Sequence, residues 1–294
     1  MALFLSQLFN GIGNGVVYAS VALALVIIYK STGILNFAQG EMALFATYLT
    51  WKFTDWDVPV LTAIVLSTVI AFVGGALIER ILIRPVEGAH NPLNVVIVTL
   101  GMFLAINSLV LLIFGTDAQK IPGVFPTDSF DLFGARLKQE TVGLVAVLAG
   151  ECVLLWLLLQ KTKLGLRLRA VASNPDSSRL VGINTGWMLM LGWGLAAAIG
   201  AVAGSLIGST GTAFDSSFMQ VILVYAFAAA ALGGFDSLVG AVVGGMIVGI
   251  ADALAVQYID ALDGIAVVLP LALILVVLLV RPNGLFGSRT VERV

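Results

Sequence analysis

The sequence holds one cysteine, Cys152, and one histidine, His90. A lone cysteine excludes an internal disulfide framework, and the pair together exclude a His/Cys metal cluster. Carboxylates alone remain able to hold a hard cation. Charge is scarce as well. Only 11% of the 294 residues are Asp, Glu, Lys or Arg, against roughly 25% in a soluble globular chain. The net charge is −2 and the basic residues are not pooled into a groove, which argues against nucleic acid as a partner. There is no G-x-x-x-x-G-K-[ST] phosphate loop, so an ATPase of that kind is excluded. The opening Met-Ala-Leu-Phe-Leu-Ser-Gln has no basic region and no evident cleavage site after its apolar run, so it is expected to be a retained first span.

What is abundant is apolar surface. Hydrophobic residues make up 60% of the chain, more than one water-facing domain can hide, and a bilayer is the solvent that accommodates them. An all-α integral membrane protein is expected, a polytopic bundle forming one transmembrane domain over residues 1–294. Stretches of spanning length, about 20 residues, fall at 5–29, 58–79, 93–114, 141–160, 187–209, 238–257 and 262–280. Two more, 36–51 and 219–232, are short or polar at one end, the pattern of full spans or of re-entrant, broken pieces around a site.

Basic residues set the orientation. Lys161, Lys163, Arg167, Arg169 and Arg179 crowd the loop 161–186, and Arg281, Arg289 and Arg293 follow the last span. Both regions are expected inside. Nine crossings, with the N-terminus outside and the C-terminus inside, satisfy the charges; eight, with one short segment re-entrant, is the rival. Glycines four apart (Gly11/Gly15, Gly200/Gly204/Gly208, Gly240/Gly244, Gly245/Gly249) predict close helix–helix contacts.

Within the 161–186 loop a short helix over 175–181 is delimited at both ends. Asn174 suits its N-cap, Pro175 its first position, Asp176 the helix dipole, and Gly182 the left-handed residue that ends it. Leu180 and Val181 would form an apolar edge near Arg179. About two turns are not stable alone, so this helix must pack on its own bundle or on a cytoplasmic partner.

Polar groups in hydrocarbon are costly, at least about 2.5–3.5 kcal/mol for a charge at mid-helix, so each invites two readings. Asn36, Gln39 and Glu41 gather at the start of the short segment 36–51. There Asn36 is expected to cap a helix, and the trio forms either a gate or pathway lining or a clamp holding a break. Glu151 sits at the midpoint of its span among Val147, Leu148, Leu154 and Leu155, as a paired or neutral structural acid or a pathway group. Asp252 lies about a turn and a half from the end of its span, where snorkelling outward is favoured over lining an outer vestibule. Asn14 and Asn107 are expected to hydrogen-bond between helices, and Pro270 to kink the last span. The mixed charges of the loop 115–140 fit contact with an external protein or an ordinary solvated loop.

Several of these segments together resemble the LivH-type permeases of branched-chain amino acid ABC transporters. Asn10-Gly-Ile-Gly-Asn-Gly-Val-Val-Tyr-Ala-Ser is similar to that family's first span. Gly33-Ile-Leu-Asn-Phe-Ala-Gln-Gly-Glu41 resembles its Asn-Phe-Ala-His-Gly-Glu signature, with Gln39 in place of the usual histidine. Glu79-Arg80 with Arg84-Pro85, Gly165-Leu166 through Gly182-Ile183, and Ala231-Leu-Gly-Gly-Phe-Asp-Ser-Leu-Val-Gly-Ala241 resemble its first inner loop, coupling loop and late glycine-rich turn. The resemblance implies a bacterial cytoplasmic-membrane importer subunit with no cofactor of its own. Its implied partners are ATPase subunits that bind the ATP, a second related permease and an extracytoplasmic substrate-binding protein. Helix 175–181 would dock on the ATPase. Gln39 keeps hydrogen bonding at its position but removes a titratable group. The residues by themselves also leave open a stand-alone channel or secondary transporter, which would need its own coupling-ion site. An intramembrane enzyme fits poorly, because no nucleophile–base pair emerges.

Overall fold

The computed structural model describes residues 2–87, 93–132, 134–259, 265 and 267–287. His90, Arg289 and Arg293 lie outside them, as does the first part of the 262–280 span. The elements are α1 (Ala2–Thr32), α2 (Gln39–Asp55), α3 (Val60–Ile78), a π-helical turn (Glu79–Ile83) continuing into α4 (Arg84–Glu87), and α5 (Leu93–Phe114). A hairpin of β1 (Ser129–Leu132) and β2 (Ala135–Lys138) leads to α6 (Gln139–Lys161), α7 (Lys163–Ser173) and α8 (Pro175–Leu180). The chain then forms α9 (Thr185–Gly208), α10 (Phe218–Gly233), α11 (Leu238–Tyr258) and α12 (Val268–Val280). Among the described residues six helices are long and apolar enough to cross a membrane, and α10 and α12 are shorter apolar helices. With α2 these occupy all nine segments read from the sequence. The protein is an all-α polytopic membrane protein.

Two elements appear where the sequence reading had placed loops. The hairpin pairs Ser129 with Lys138 and Leu132 with Ala135 inside the charged 115–140 connection. Helix α7 precedes the expected short helix, with the Thr162 hydroxyl accepting from Gly165 N at its start. Pro270 falls in the first turn of α12 as described, where proline forfeits no internal hydrogen bond, so it causes no kink there.

The chain divides into two compact units. In the unit formed by residues 27–124 and 147–220, α2 is enclosed by α3, α5 and α9. Its residues from Gln39 to Leu44 are all buried. The α9 ridge Gly200–Gly204–Gly208 lies against Gln39, Ala43 and Thr47 of α2, and a side chain on that ridge would drive into them. Thr50 and Ser205 share a hydrogen bond at 2.8 Å further along the same seam. At the middle of α2, Tyr48 stacks on Phe114 with ring centroids 5.2 Å apart and meets Phe214 edge to face at 5.3 Å. Between α2, α3 and α5, Met42, Phe45, Ile70, Gly74, Ile106 and Leu109 wall an apolar cleft of about 220 Å³.

In the other unit (residues to 26, 125–146 and from 221) the remaining glycine pairs do the same work. Gly11 and Gly15 of α1 meet α11 at Gly249, Ile250 and Met246, while Gly245 meets Ala19. Gly240 and Gly244 meet α10 at Gly233 and Ala229. Small residues let these backbones approach within packing distance, which in lipid replaces the hydrophobic drive that water supplies. After α12 the chain folds back, with Leu285 N and Phe286 N donating to Leu232 O and Gly233 O at 2.8 and 3.0 Å.

Candidate functional site: a buried acid and an exposed elbow

Asn36, Gln39 and Glu41 have no exposed surface at all. The chain leaves α1 through Gly33, which has a φ of 72°, and runs unwound to α2. Asn36 Oδ1 accepts from Ala38 N at 3.0 Å, inside this break. The N-cap of α2 is Ala38, without a side-chain cap, so Asn36 does not cap the helix as expected. It closes a local turn one step earlier. Its Nδ2 reaches Gln39 Oε1 at 3.5 Å, and Gln39 Nε2 donates to Ala196 O of α9 at 3.1 Å. Gly200, one turn further along α9, leaves the space that this amide fills.

Glu41 points the other way. Asn107 Nδ2 of α5 donates to Oε2 at 3.0 Å, and Gln220 Nε2 of α10 donates to Oε1 at 3.1 Å. Asn107 also donates to Ser216 O at 2.9 Å, in the connection before α10. One carboxylate thus ties α2, α5 and the first turn of α10. Neutral amides hold both oxygens. Charge-assisted hydrogen bonds of this kind are roughly twice as strong as neutral ones, and both donors are side chains with rotatable reach. Asn107 fulfils its expected interhelical role. Gln220 is not among the residues that the sequence reading marks, although a lone amide at the start of an apolar segment is the complement a buried acid requires.

Asp252 departs from its expectation. It is 8% exposed and accepts from Tyr225 OH at 2.8 Å instead of snorkelling outward. Tyr225 in turn stacks on Tyr18, ring centroids 4.5 Å apart and nearly parallel. The small residues of α11 bring α1 and α10 close enough for the aromatic pair to cover the acid. Glu151 is half-buried on α6 beside Cys152 and takes no part in the Glu41 hydrogen bonds. Asn14 lies on the exposed side of α1, off the face that Gly11 and Gly15 press against α11.

The second feature is an elbow outside the spans. Asn174 Oδ1 accepts from Ser177 N at 2.9 Å, Pro175 opens α8, and Gly182 ends it with φ 80°. Arg179 Nε donates to Thr185 Oγ1 at 3.0 Å, joining α8 to the start of α9, and its Nη1 lies 3.6 Å from Asp176. Behind it, Leu168 and Val171 of α7 pack on Met188 and Leu189 of α9. Leu180 and Val181 are left 88% and 75% exposed on this braced support.

The helices form a polytopic membrane bundle that buries Asn36, Gln39, Glu41 and Asp252 within its apolar segments. The profile described as "Branched-chain amino acid transport system / permease component" matches residues 7–278, and the chain belongs to that family. It is 32% identical to the high-affinity branched-chain amino acid transport system permease protein LivH of Escherichia coli (strain K12), over 99% of this chain and 98% of that one. It is 28% identical to the permease protein BraD of Pseudomonas aeruginosa, with the same coverage. Among solved structures, PsaBC from Streptococcus pneumoniae in complex with Fab aligns over 96% of this chain and 93% of that one, at 12% identity and a TM-score of 0.49.

Proposed function

We propose that this chain is one half of the pathway of an ATP-driven importer for branched-chain or similar small amino acids in the bacterial cytoplasmic membrane. ATP is bound and hydrolysed on separate ABC ATPase subunits, and the chain carries no cofactor. A second, related permease completes the pathway, and an extracytoplasmic binding protein delivers the substrate. The observation that carries this reading is the elbow: an apolar Leu180–Val181 tip, held outside the spans by a capped helix and by Arg179, within a chain matched over its length to permeases. Two large exposed apolar side chains on so short and braced a helix suit a cleft on a soluble partner, and motion received there passes through Thr185 into α9 and so to α2.

Under this reading the Asn36–Gln39–Glu41 group is the gate-bearing region. Alternating access requires elements with two arrangements. The amide-held carboxylate at the unwound start of α2 is the element able to exchange partners without breaking a regular helix. Glu151 and Asp252 are carried in this reading as further candidate pathway groups.

The test is capture of the tagged chain from gently solubilised native membranes, comparing wild type with Leu180→Asp/Val181→Asp. Wild type brings down an ATPase subunit and the double variant does not. Wild type bringing down no ATPase under conditions that preserve complexes would sink the ABC reading in favour of a stand-alone transporter.

A further inference from the structure

The first five turns of α1 carry a row that the fold leaves uncovered. Leu3, Gln7, Asn10, Asn14 and Val17 follow one another at spacings of four, three, four and three, which keeps them on one side of a helix. Leu3, Asn10 and Asn14 are exposed, and Gln7 and Val17 are half-buried.

Gln7 also fixes the depth of this row. Its Nε2 donates to Gln257 Oε1 at 2.6 Å, level with the last turn of α11. The 21 residues of α11 are about 31 Å long, the thickness of the hydrocarbon layer. With α11 filling that layer end to end, residue 7 of α1 stands at one boundary of it. Lys30, the basic residue of the helix's last turn, stands about 34 Å away at the other. Asn10 lies about 4–5 Å inside the boundary and Asn14 about 10 Å.

Asn10 Nδ2 reaches Gln7 Oε1 at 3.4 Å within the row, but at that depth lipid tails offer no partner for the rest of its amide or for that of Asn14, and a polar group left so is costly. An amide has donors and acceptors, and its natural partner in a membrane is another polar side chain on a facing helix. The alternation of four and three is the spacing that a helix presents to a second helix along a seam. We infer that the Leu3–Gln7–Asn10–Asn14–Val17 row is the seam along which α1 packs against a membrane helix of the second permease subunit, with side-chain amides or hydroxyls of that helix facing Asn10 and Asn14. This rests on the paired-permease reading above and adds which face of the chain makes the pair.

A diazirine amino acid placed at position 10, at position 14, or at Leu112 on α5 tests it in native membranes of cells carrying the complete transporter. Leu112 is 82% exposed on an apolar span and serves as the control. Irradiation is expected to join positions 10 and 14 to a permease chain, identified by mass spectrometry as this chain or a related one, with at least a fivefold lower yield at position 112. An adduct to phospholipid alone, to any other protein, or in equal yield at 112 overturns the seam. So does rapid labelling of Asn14→Cys, in a Cys152→Ser background, by a membrane-impermeant maleimide, since the row would then line a water-filled cavity. The outcome is separable from the ATPase reading. A permease adduct with no ATPase capture keeps the seam and removes the coupling elbow, and ATPase capture with no adduct does the reverse.

Discussion

Glu41 and Asp252 are both carboxylates buried within membrane-spanning segments, and they are held in opposite ways. Glu41 stands where the chain has only just re-formed a helix, and two amides on separate elements hold its two oxygens at 3.0 and 3.1 Å. Asp252 sits inside an unbroken helix, held at 2.8 Å by one phenol whose ring is pinned by a stacked neighbour. A Glu–Asn–Gln junction across three elements can trade one partner for another, because Gln220 has a second donor, Asn107 already divides its two between Glu41 and Ser216 O, and both side chains turn about free torsions. A stacked tyrosine has one hydroxyl and a ring fixed by packing, so it has nowhere to go. Under the proposed function, the contrast gives movement to the first site and cohesion to the second.

The sharpest way to break that contrast is Glu41→Leu. It removes the acceptor of two charge-assisted bonds, each worth roughly 1.5–3 kcal/mol, and leaves Gln220 without its carboxylate. Uptake of labelled leucine by cells carrying the complete transporter is expected to fall at least tenfold at equal membrane abundance. Uptake within twofold of wild type would remove Glu41 from the gate. Glu41→Gln, which keeps one acceptor oxygen, should recover part of the loss. Gln220→Leu comes next, with an expected three- to tenfold loss, since Asn107 still holds one oxygen. The Glu41→Leu/Gln220→Leu double variant should lose no more than Glu41→Leu alone. Additive losses in that cycle would mean that the two side chains act separately.

Close packing beside Glu41 gives a third test. Gly204→Leu forces a branched side chain into Thr47 and the Ala43 backbone on the α2–α9 seam. Overpacking of this kind costs roughly 1–3 kcal/mol. The variant should show a lower melting temperature in detergent together with reduced uptake, whereas Gly74→Leu, where nothing lies within 4 Å, should leave both near wild type. Equal effects at the two glycines would deny that the α2–α9 seam is special.

Much of this was legible in the sequence, and the parts that were not share a physical cause. Length and hydropathy located all nine segments, because hydrocarbon thickness sets a length that composition reveals. Helix-end chemistry located α8 to within a residue, as Asn174, Pro175 and Gly182 each act locally. Helix α7 has signals of the same sort, Thr162 as a cap and Leu164, Leu168 and Val171 on one face, but the basic residues around them give the segment the look of a loop. The directions of Asp252 and Asn14 were not legible. In a water-soluble helix an apolar stripe points to the core, but in a span apolar on every side it points nowhere. Only the partners chosen by Gly11, Gly15 and Gly249 turn Asp252 inward and Asn14 outward. Gln220 was hidden for a related reason, since its meaning depends on Glu41, 179 residues away.

The smallest effect is expected at Tyr225→Phe, and it is the one that sharpens the comparison most. The substitution removes a single hydroxyl and keeps the ring, so the stack on Tyr18 survives while Asp252 loses its donor. Interhelical hydrogen bonds in membrane proteins average about 0.6 kcal/mol, with a maximum near 1.7, in double-mutant cycles. The melting temperature in detergent should therefore drop by a few degrees, while uptake stays within twofold of wild type. Tyr225→Leu, which also removes the stacked ring, should lower stability further, again with little change in uptake per folded molecule. If Tyr225→Phe instead cuts uptake as deeply as Gln220→Leu while leaving stability unchanged, Asp252 belongs with Glu41 among the moving groups. The difference in how the two acids are held would then reflect packing and not function.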